Sequence, residues 1–120
     1  GVFRKLRSGK YEINGRLDLH GMTIAQAREE VFSFVQESIA LGLRAVSIIH
    51  GKGRTGAQAD NTAVLKGYVD RWLRQLKEVL AFHSAQPSHG GTGTIYVLLK
   101  KSTEKKRENR LKYTNGRLLD

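Results

Sequence analysis

The sequence predicts an α/β fold, a two-layer α/β sandwich in which two helices cover one face of a small mixed four-stranded sheet. Three observations support this prediction. The 120-residue chain has room for one domain, 39% of its residues are hydrophobic, and its apolar segments alternate between strand and helix periodicity in the order β-α-β-α-β-β. Two helices are too few to cover both faces of such a sheet, so we expect a single helical layer.

The first strand and the first helix follow from periodicity and capping residues. Residues 16–20 alternate apolar and polar side chains, which predicts a strand with Asp18 and His20 on the same face. An amphipathic apolar pattern follows. Thr23 provides an N-cap with a capping box, and Gly42 suits the left-handed position that ends a helix. These residues predict a β-strand that leads directly into a helix.

The later elements are marked by apolar runs between polar loops. Residues 45–49 are short, β-branched and apolar, as expected of a buried strand. A second amphipathic helix is predicted to begin near Asn61 or Thr62. Residues 79–82 predict a third strand, and residues 94–99 form the clearest strand in the sequence.

Charge-rich segments flank this core. We expect a basic N-terminal extension over residues 1–15, the folded domain over residues 16–101, and a basic C-terminal extension over residues 102–120 that can begin as a helix. The flanking arms are expected to shield part of the second sheet face. The chain begins with glycine, which we interpret as a sign of an excised fragment or a cloning scar.

Composition narrows the possible functions. Lys and Arg number 21 against 11 Asp and Glu, so the net charge of +10 predicts a polyanionic partner, with nucleic acid the default. The absence of cysteine excludes disulfides, thiolate zinc sites and cysteine nucleophiles. No apolar run is long enough to span a membrane and no signal peptide is visible. We therefore expect a cytoplasmic monomer that binds nucleic acid and not membranes.

Three glycine-rich loops are predicted to meet at one edge of the sheet. Two follow parallel strands, and the third precedes a final strand that reaches the same edge if it is antiparallel. Glycine lets a backbone approach a phosphate closely and point its N–H groups at it, and the start of the first helix favours an anion there. The predicted substrate-binding residues are Gly21, His50, Gly51, Lys52, Gly53, Arg54, Gly90, Gly91, Thr92 and Gly93.

Asp18 and His20 form the strongest chemical pair at this edge. A carboxylate beside an imidazole favours its charged form and fixes its orientation, and such a histidine can move protons at phosphodiester oxygens. A two-metal nuclease site needs several convergent carboxylates, and Asp18 is the only acidic residue placed there. No cofactor is therefore predicted, and a divalent metal is the less favoured alternative. Metal-independent chemistry favours RNA, whose 2′-hydroxyl is an internal nucleophile.

Other notable side chains have simpler interpretations. His50 is better suited to binding than to proton transfer, and His83, at the end of an apolar strand, is interpreted as structural. Phe34 and Trp72 follow helical spacing and are predicted core residues. Tyr96 either faces the second side of the sheet, where it can stack on a base, or packs in the core.

The motifs together resemble the Smr (small MutS-related) domain family, in its stand-alone bacterial form. Leu-Asp-Leu-His-Gly at 17–21, His-Gly-Lys-Gly at 50–53 and Gly-Gly-Thr-Gly-Thr at 90–94 carry the resemblance, which spans about 17–99. It implies a two-layer sandwich and an endonuclease that nicks DNA or cleaves mRNA on stalled ribosomes. It also implies that Asp18 and His20 are the catalytic pair and that residues 50–53 bind substrate.

The resulting hypothesis is an endonuclease domain that cleaves phosphodiester bonds in DNA or RNA through Asp18 and His20, with the ribosome as a further expected partner. The alternative is a non-catalytic module that binds nucleic acid or a ribosome. An enzyme acting on a small phosphorylated molecule is disfavoured, because the net charge of +10 exceeds what one small anion needs.

Overall fold

The chain folds around one mixed β-sheet in this computed structural model. The structure describes residues 4–5, 11–51, 57–85, 93–101, 112–114 and 117–119. Its strands and long helices are β1 (Gly15–Asp18), α1 (Ile24–Ala40), β2 (Ala45–Ile49), α2 (Ala57–Gln75), β3 (Val79–Ser84), β4 (Thr94–Leu99), β5 (Lys112–Thr114) and β6 (Arg117–Leu119). The first six follow the predicted order, and the predicted α/β fold class is confirmed.

The strand order in the sheet is β3-β4-β2-β1-β5-β6. β1 and β2 are parallel, with Leu17 opposite Ile48, as a β-α-β crossover requires. β4 is antiparallel to β2, and β3 is antiparallel to β4. The carboxyl ends of β1, β2 and β3 and the amino end of β4 therefore lie at one edge of the sheet.

The helices α1 and α2 form a single layer over one sheet face. Phe34 of α1 and Trp72 of α2 pack in the same buried cluster as Leu17 and Val97 of the sheet, so both aromatic residues are core residues as predicted. Burying each such side chain contributes about 1.5–3 kcal/mol. Neither helix, over the residues that the structure describes, is long and apolar enough to cross a membrane.

The ends of α1 are fixed by the residues that predicted them. Thr23 Oγ1 accepts a hydrogen bond from the Gln26 N–H at 3.1 Å, and Gln26 Oε1 accepts one from the Thr23 N–H at 3.0 Å. Gly42 has a φ of 77°, the left-handed conformation expected beyond a helix end. The capping box fixes where α1 begins, three residues after His20.

The second sheet face carries a smaller buried cluster. Its members are Ala45, Ala85, Tyr96 and Leu98. Tyr11 and Ile13, from the predicted N-terminal extension, pack against this cluster, so the arm shields part of this face as expected. Tyr96 faces the second side of the sheet, as one alternative had it, but it is only 2% exposed, so it packs in this cluster and is not available to stack on a base.

Several element boundaries differ from the predictions. α2 begins at Ala57 rather than near Asn61, because alanines with high helix propensity precede the apolar stripe. β3 continues through Ser84, because it remains paired with β4 beyond the apolar residues that predicted it. β1 ends at Asp18, so His20 lies outside the strand.

The C-terminal segment extends the sheet beyond the four predicted strands. β5 pairs in parallel with β1, through Gly15 opposite Tyr113 and Arg16 opposite Thr114, and β6 pairs with β5. The sequence alone favoured a helix at the start of this segment, which lies outside the described residues. The pairing with β1 joins residues about a hundred positions apart, which no local pattern can indicate.

Candidate functional site

At the sheet edge, backbone hydrogen bonds join the end of β2 and the residues after it to the neighbouring segments on both sides. The Leu19 N–H donates a hydrogen bond to the Ile49 carbonyl at 2.8 Å, which continues the β1–β2 ladder past the end of β1. The N–H groups of His50 and Gly51 both donate to the Gly93 carbonyl, at 3.0 and 3.1 Å. Residues 50–51 and Gly93, from two of the predicted loops, therefore lie side by side at this edge, and the residue before the first loop lies next to the end of β2.

Asp18 contacts His20 through the backbone. The Asp18 Oδ1 atom accepts a hydrogen bond from the His20 N–H at 2.9 Å. Strand alternation was expected to align the two side chains, but β1 ends at Asp18 and His20 begins a turn. The carboxylate thus fixes the turn that carries the exposed imidazole, as aspartates commonly do through local backbone hydrogen bonds.

Gly21 connects this turn to α1. Its φ of 78° lies in the left-handed region that favours glycine, and no described residue beyond its two chain neighbours has a heavy atom within 4 Å of a Cβ atom built on it. The backbone is therefore openly accessible beside His20. The first turn of α1 contains no acidic residue, so no carboxylate there offsets the partial positive charge of the helix start.

His50 is buried, with 3% of its surface exposed. Its Nδ1 atom lies 2.9 Å from the Gly51 carbonyl oxygen, which can only accept, so Nδ1 carries the proton. The Nε2 atom is buried and has no hydrogen-bond partner among the residues that the structure describes. Burial lowers the pKa of His50, the hydrogen bond to Gly51 opposes that shift, and the positive charge of Lys66 lowers the pKa further. A neutral His50 that shapes the 50–51 backbone is the state the geometry favours.

We expect the stability of the domain to fall in mild acid because of His50. Its folded-state pKa is lowered, so below about pH 6.5 the unfolded chain binds a proton that the folded domain does not. Each unit of difference between the two pKa values then costs about 1.4 kcal/mol. Urea unfolding of wild type and His50→Gln at about pH 7.5 and about pH 5 measures this effect. An equal loss of stability in both proteins would contradict it.

Part of the predicted site lies outside the described residues. These residues are Lys52, Gly53, Arg54, Gly90, Gly91 and Thr92. His83 is half-buried in β3, and its Nδ1 atom lies 2.9 Å from the Ser84 carbonyl oxygen. That contact agrees with its interpretation as a structural residue.

The remaining features of the site are its possible metal ligands and the charge of a nearby lysine. No group of three or more His, Asp or Glu side chains in the described part of the chain is arranged to hold a metal ion. Lys66 of α2, whose charge acts on His50, was not identified from the sequence. The sequence around Lys66 did not indicate that it lies near His50, because only the packing of α2 brings it towards the end of β2.

Comparison with known proteins agrees with this architecture. Residues 17–100 match the family described as the Smr domain. The crystal structure of YdaL, a stand-alone small MutS-related protein from Escherichia coli, superposes with a TM-score of 0.71 at 46% identity, covering 84% of this chain and 76% of that one. The Smr domain of Thermus thermophilus MutS2 superposes with a TM-score of 0.63 at 36% identity, covering 72% of this chain and 98% of that one.

Two curated relatives carry functional names. A protein of Escherichia coli K12 named "Probable DNA endonuclease SmrA" is 46% identical over 109 residues, which are 91% of this chain and 57% of that protein. A protein of Tolumonas auensis named "Ribosome rescue factor SmrB" is 33% identical over 99 residues, 82% of this chain and 52% of that protein. The chain thus spans about half the length of these relatives.

Proposed function

The chain belongs to the Smr domain family, and on that premise we propose that it is an endonuclease domain that cleaves phosphodiester bonds in nucleic acid. His20 is the proton-transferring residue, and Asp18 both fixes its position and supplies a negative charge that favours the charged imidazole formed during proton transfer. The backbone around Gly21, Gly51 and Gly93 provides the surface where the reacting phosphate lies. The relatives named as a DNA endonuclease and as ribosome rescue factors support a role in acting on or binding nucleic acid.

One observation carries the proposal. The hydrogen bond from the His20 N–H to Asp18 Oδ1 holds an exposed imidazole at the same sheet edge as the 50–51 and Gly93 backbone. A reacting phosphate at that edge would meet a proton carrier and the exposed backbone of Gly21 together. The net charge of +10 supplies long-range attraction for such a polyanion.

The chemistry follows from the proton that His20 can move. On RNA, the 2′-hydroxyl oxygen attacks phosphorus while the imidazole accepts its proton or donates one to the departing 5′-oxygen. On DNA, a water molecule replaces the 2′-hydroxyl as the nucleophile. The exposed backbone at Gly21, beside the start of α1, and the positive charge of the domain stabilise the negative charge that develops on the phosphate oxygens. His50, buried and neutral, maintains this backbone rather than exchanging protons with substrate.

Incubation with labelled RNA and with supercoiled DNA, each with and without excess EDTA, tests the proposal. We expect strand scission of at least one substrate, with RNA cleavage persisting in EDTA because the proposed chemistry uses only side chains. The His20→Gln variant is the control for contaminating nucleases. Loss of RNA cleavage in EDTA that added magnesium restores would contradict the metal-independent mechanism, and no scission of either substrate would reject the endonuclease proposal.

A second candidate is a binding module without catalysis, which acts on nucleic acid or a ribosome. The large positive charge and the relatives named as ribosome rescue factors favour it. This candidate predicts association that weakens steeply with salt and leaves the strand intact. Binding without scission in the same incubations would support it over the endonuclease.

A further inference from the structure

Arg16 and Asp18 of β1 lie on the sheet face opposite the layer of α1 and α2. Leu17 and Leu19 belong to the core beneath the helices and are fully buried. Because strand side chains alternate, Arg16 and Asp18 project to the second face. Their Cα atoms are about 6.5 Å apart, since each strand residue advances about 3.3 Å. A cation thus neighbours the proposed active-site carboxylate along the strand.

Arg16 is exposed although β1 is an interior strand of the sheet. Its Cα lies opposite Ser47 of β2 on one side and opposite Thr114 of β5 on the other. Ser47 is only 5% exposed, so the surface next to Arg16 is buried on the β2 side. Backbone pairing on both sides fixes the base of the arginine while its guanidinium remains in contact with solvent.

The N-terminal arm covers the neighbouring part of the same face. Tyr11 and Ile13 pack on the cluster that includes Tyr96 and Leu98, whose members come from β2, β4 and the residue after β3. Arg16 is the exposed residue of β1 next to Asp18 on this face. An extended anionic chain that lies along β1 and reaches the half-buried Asp18 carboxylate would also lie against the Arg16 side chain.

We propose that Arg16 binds a backbone phosphate next to the reacting one, so that the nucleic acid strand runs along the second face of β1. This inference rests on the proposed endonuclease function. A guanidinium pairs with phosphate oxygens through two parallel hydrogen bonds, a geometry that an ammonium group cannot reproduce. The positive charge also offsets the repulsion between a phosphate and the Asp18 carboxylate.

Binding measurements on matched variants test this placement. Arg71 of α2 is the control, because it is an exposed arginine on the helical layer, about 21 Å along the helix from its start. We expect Arg16→Gln to weaken binding of labelled RNA and DNA oligonucleotides about tenfold and to reduce the salt dependence by about one phosphate contact. Arg71→Gln should change affinity about twofold or less, and Arg16→Lys should lie between Arg16→Gln and wild type.

Kinetics separate this inference from the endonuclease proposal itself. Compared with a wild-type domain that cleaves, Arg16→Gln should have a KM about tenfold higher and a kcat changed by no more than about threefold. Equal affinities of Arg16→Gln and Arg71→Gln would overturn the placement of the strand, even if wild type cleaves. Selective loss of affinity in Arg16→Gln would uphold it, even if wild type proves unable to cleave. Thermal unfolding of Arg16→Gln and Arg16→Lys checks that the effects are not due to misfolding.

Discussion

Asp18→Asn is expected to lower the rate of strand cleavage about 10²–10⁴-fold while the domain remains folded. The asparagine side chain keeps an oxygen that can accept the hydrogen bond from the His20 N–H, so the turn is retained. The negative charge is lost. Initial rates on labelled RNA and supercoiled DNA, together with urea unfolding curves, measure the two effects separately.

Two further variants show which property of Asp18 matters. Asp18→Ala removes both the charge and the acceptor, so it should lose cleavage and also lower the free energy of unfolding by about 1 kcal/mol. His20→Gln should lose cleavage with little change in stability, because the side chain of His20 is exposed. Full activity in Asp18→Asn but not in Asp18→Ala would instead restrict the role of Asp18 to holding the turn.

Phe34→Ala is expected to lower the free energy of unfolding by about 3–5 kcal/mol, a large part of the roughly 5–15 kcal/mol available to a domain. Phe34 is 1% exposed and lies in the cluster that joins α1 to the sheet. Removing its ring leaves a cavity between the two layers and loosens the helix that begins beside His20. Urea unfolding followed by circular dichroism gives the change in stability.

Phe32→Ala is the matched control for the core. Phe32 lies on the same helix but is only partly buried at the edge of the cluster, with Arg28 over its ring. The same loss of atoms should therefore cost clearly less than at Phe34. Equal losses in the free energy of unfolding at the two positions would contradict the packing of the helical layer on the sheet through Phe34.

The strands and helices of the core were largely predictable because their signals are local. The apolar run at residues 45–49 predicted β2, and residues 94–99 predicted β4, with the observed bounds. Thr23 and Gln26 predicted the start of α1, since a capping box is formed by residues three apart. The predicted boundary of β3 was wrong, because pairing with β4 extends this strand through His83 and Ser84.

The assignment of Asp18 and His20 as the catalytic pair remains a prediction. The sequence did not indicate that the Asp18 carboxylate would accept a hydrogen bond from the His20 N–H. His50 was interpreted as a binding residue, and this remains a prediction, although its side chain is buried. Burial depends on what packs around the end of β2, which a local motif does not specify.

The sequence by itself determined the order of the six core elements, the family and the residues available for chemistry, because periodicity, capping and motif spacing act over short stretches of chain. Only the tertiary structure decided that β5 pairs with β1, that Tyr96 is covered by the N-terminal arm, and that Arg16 stays exposed beside Asp18. These outcomes depend on contacts between distant segments. The same side chain is exposed or buried according to which segment lies against it.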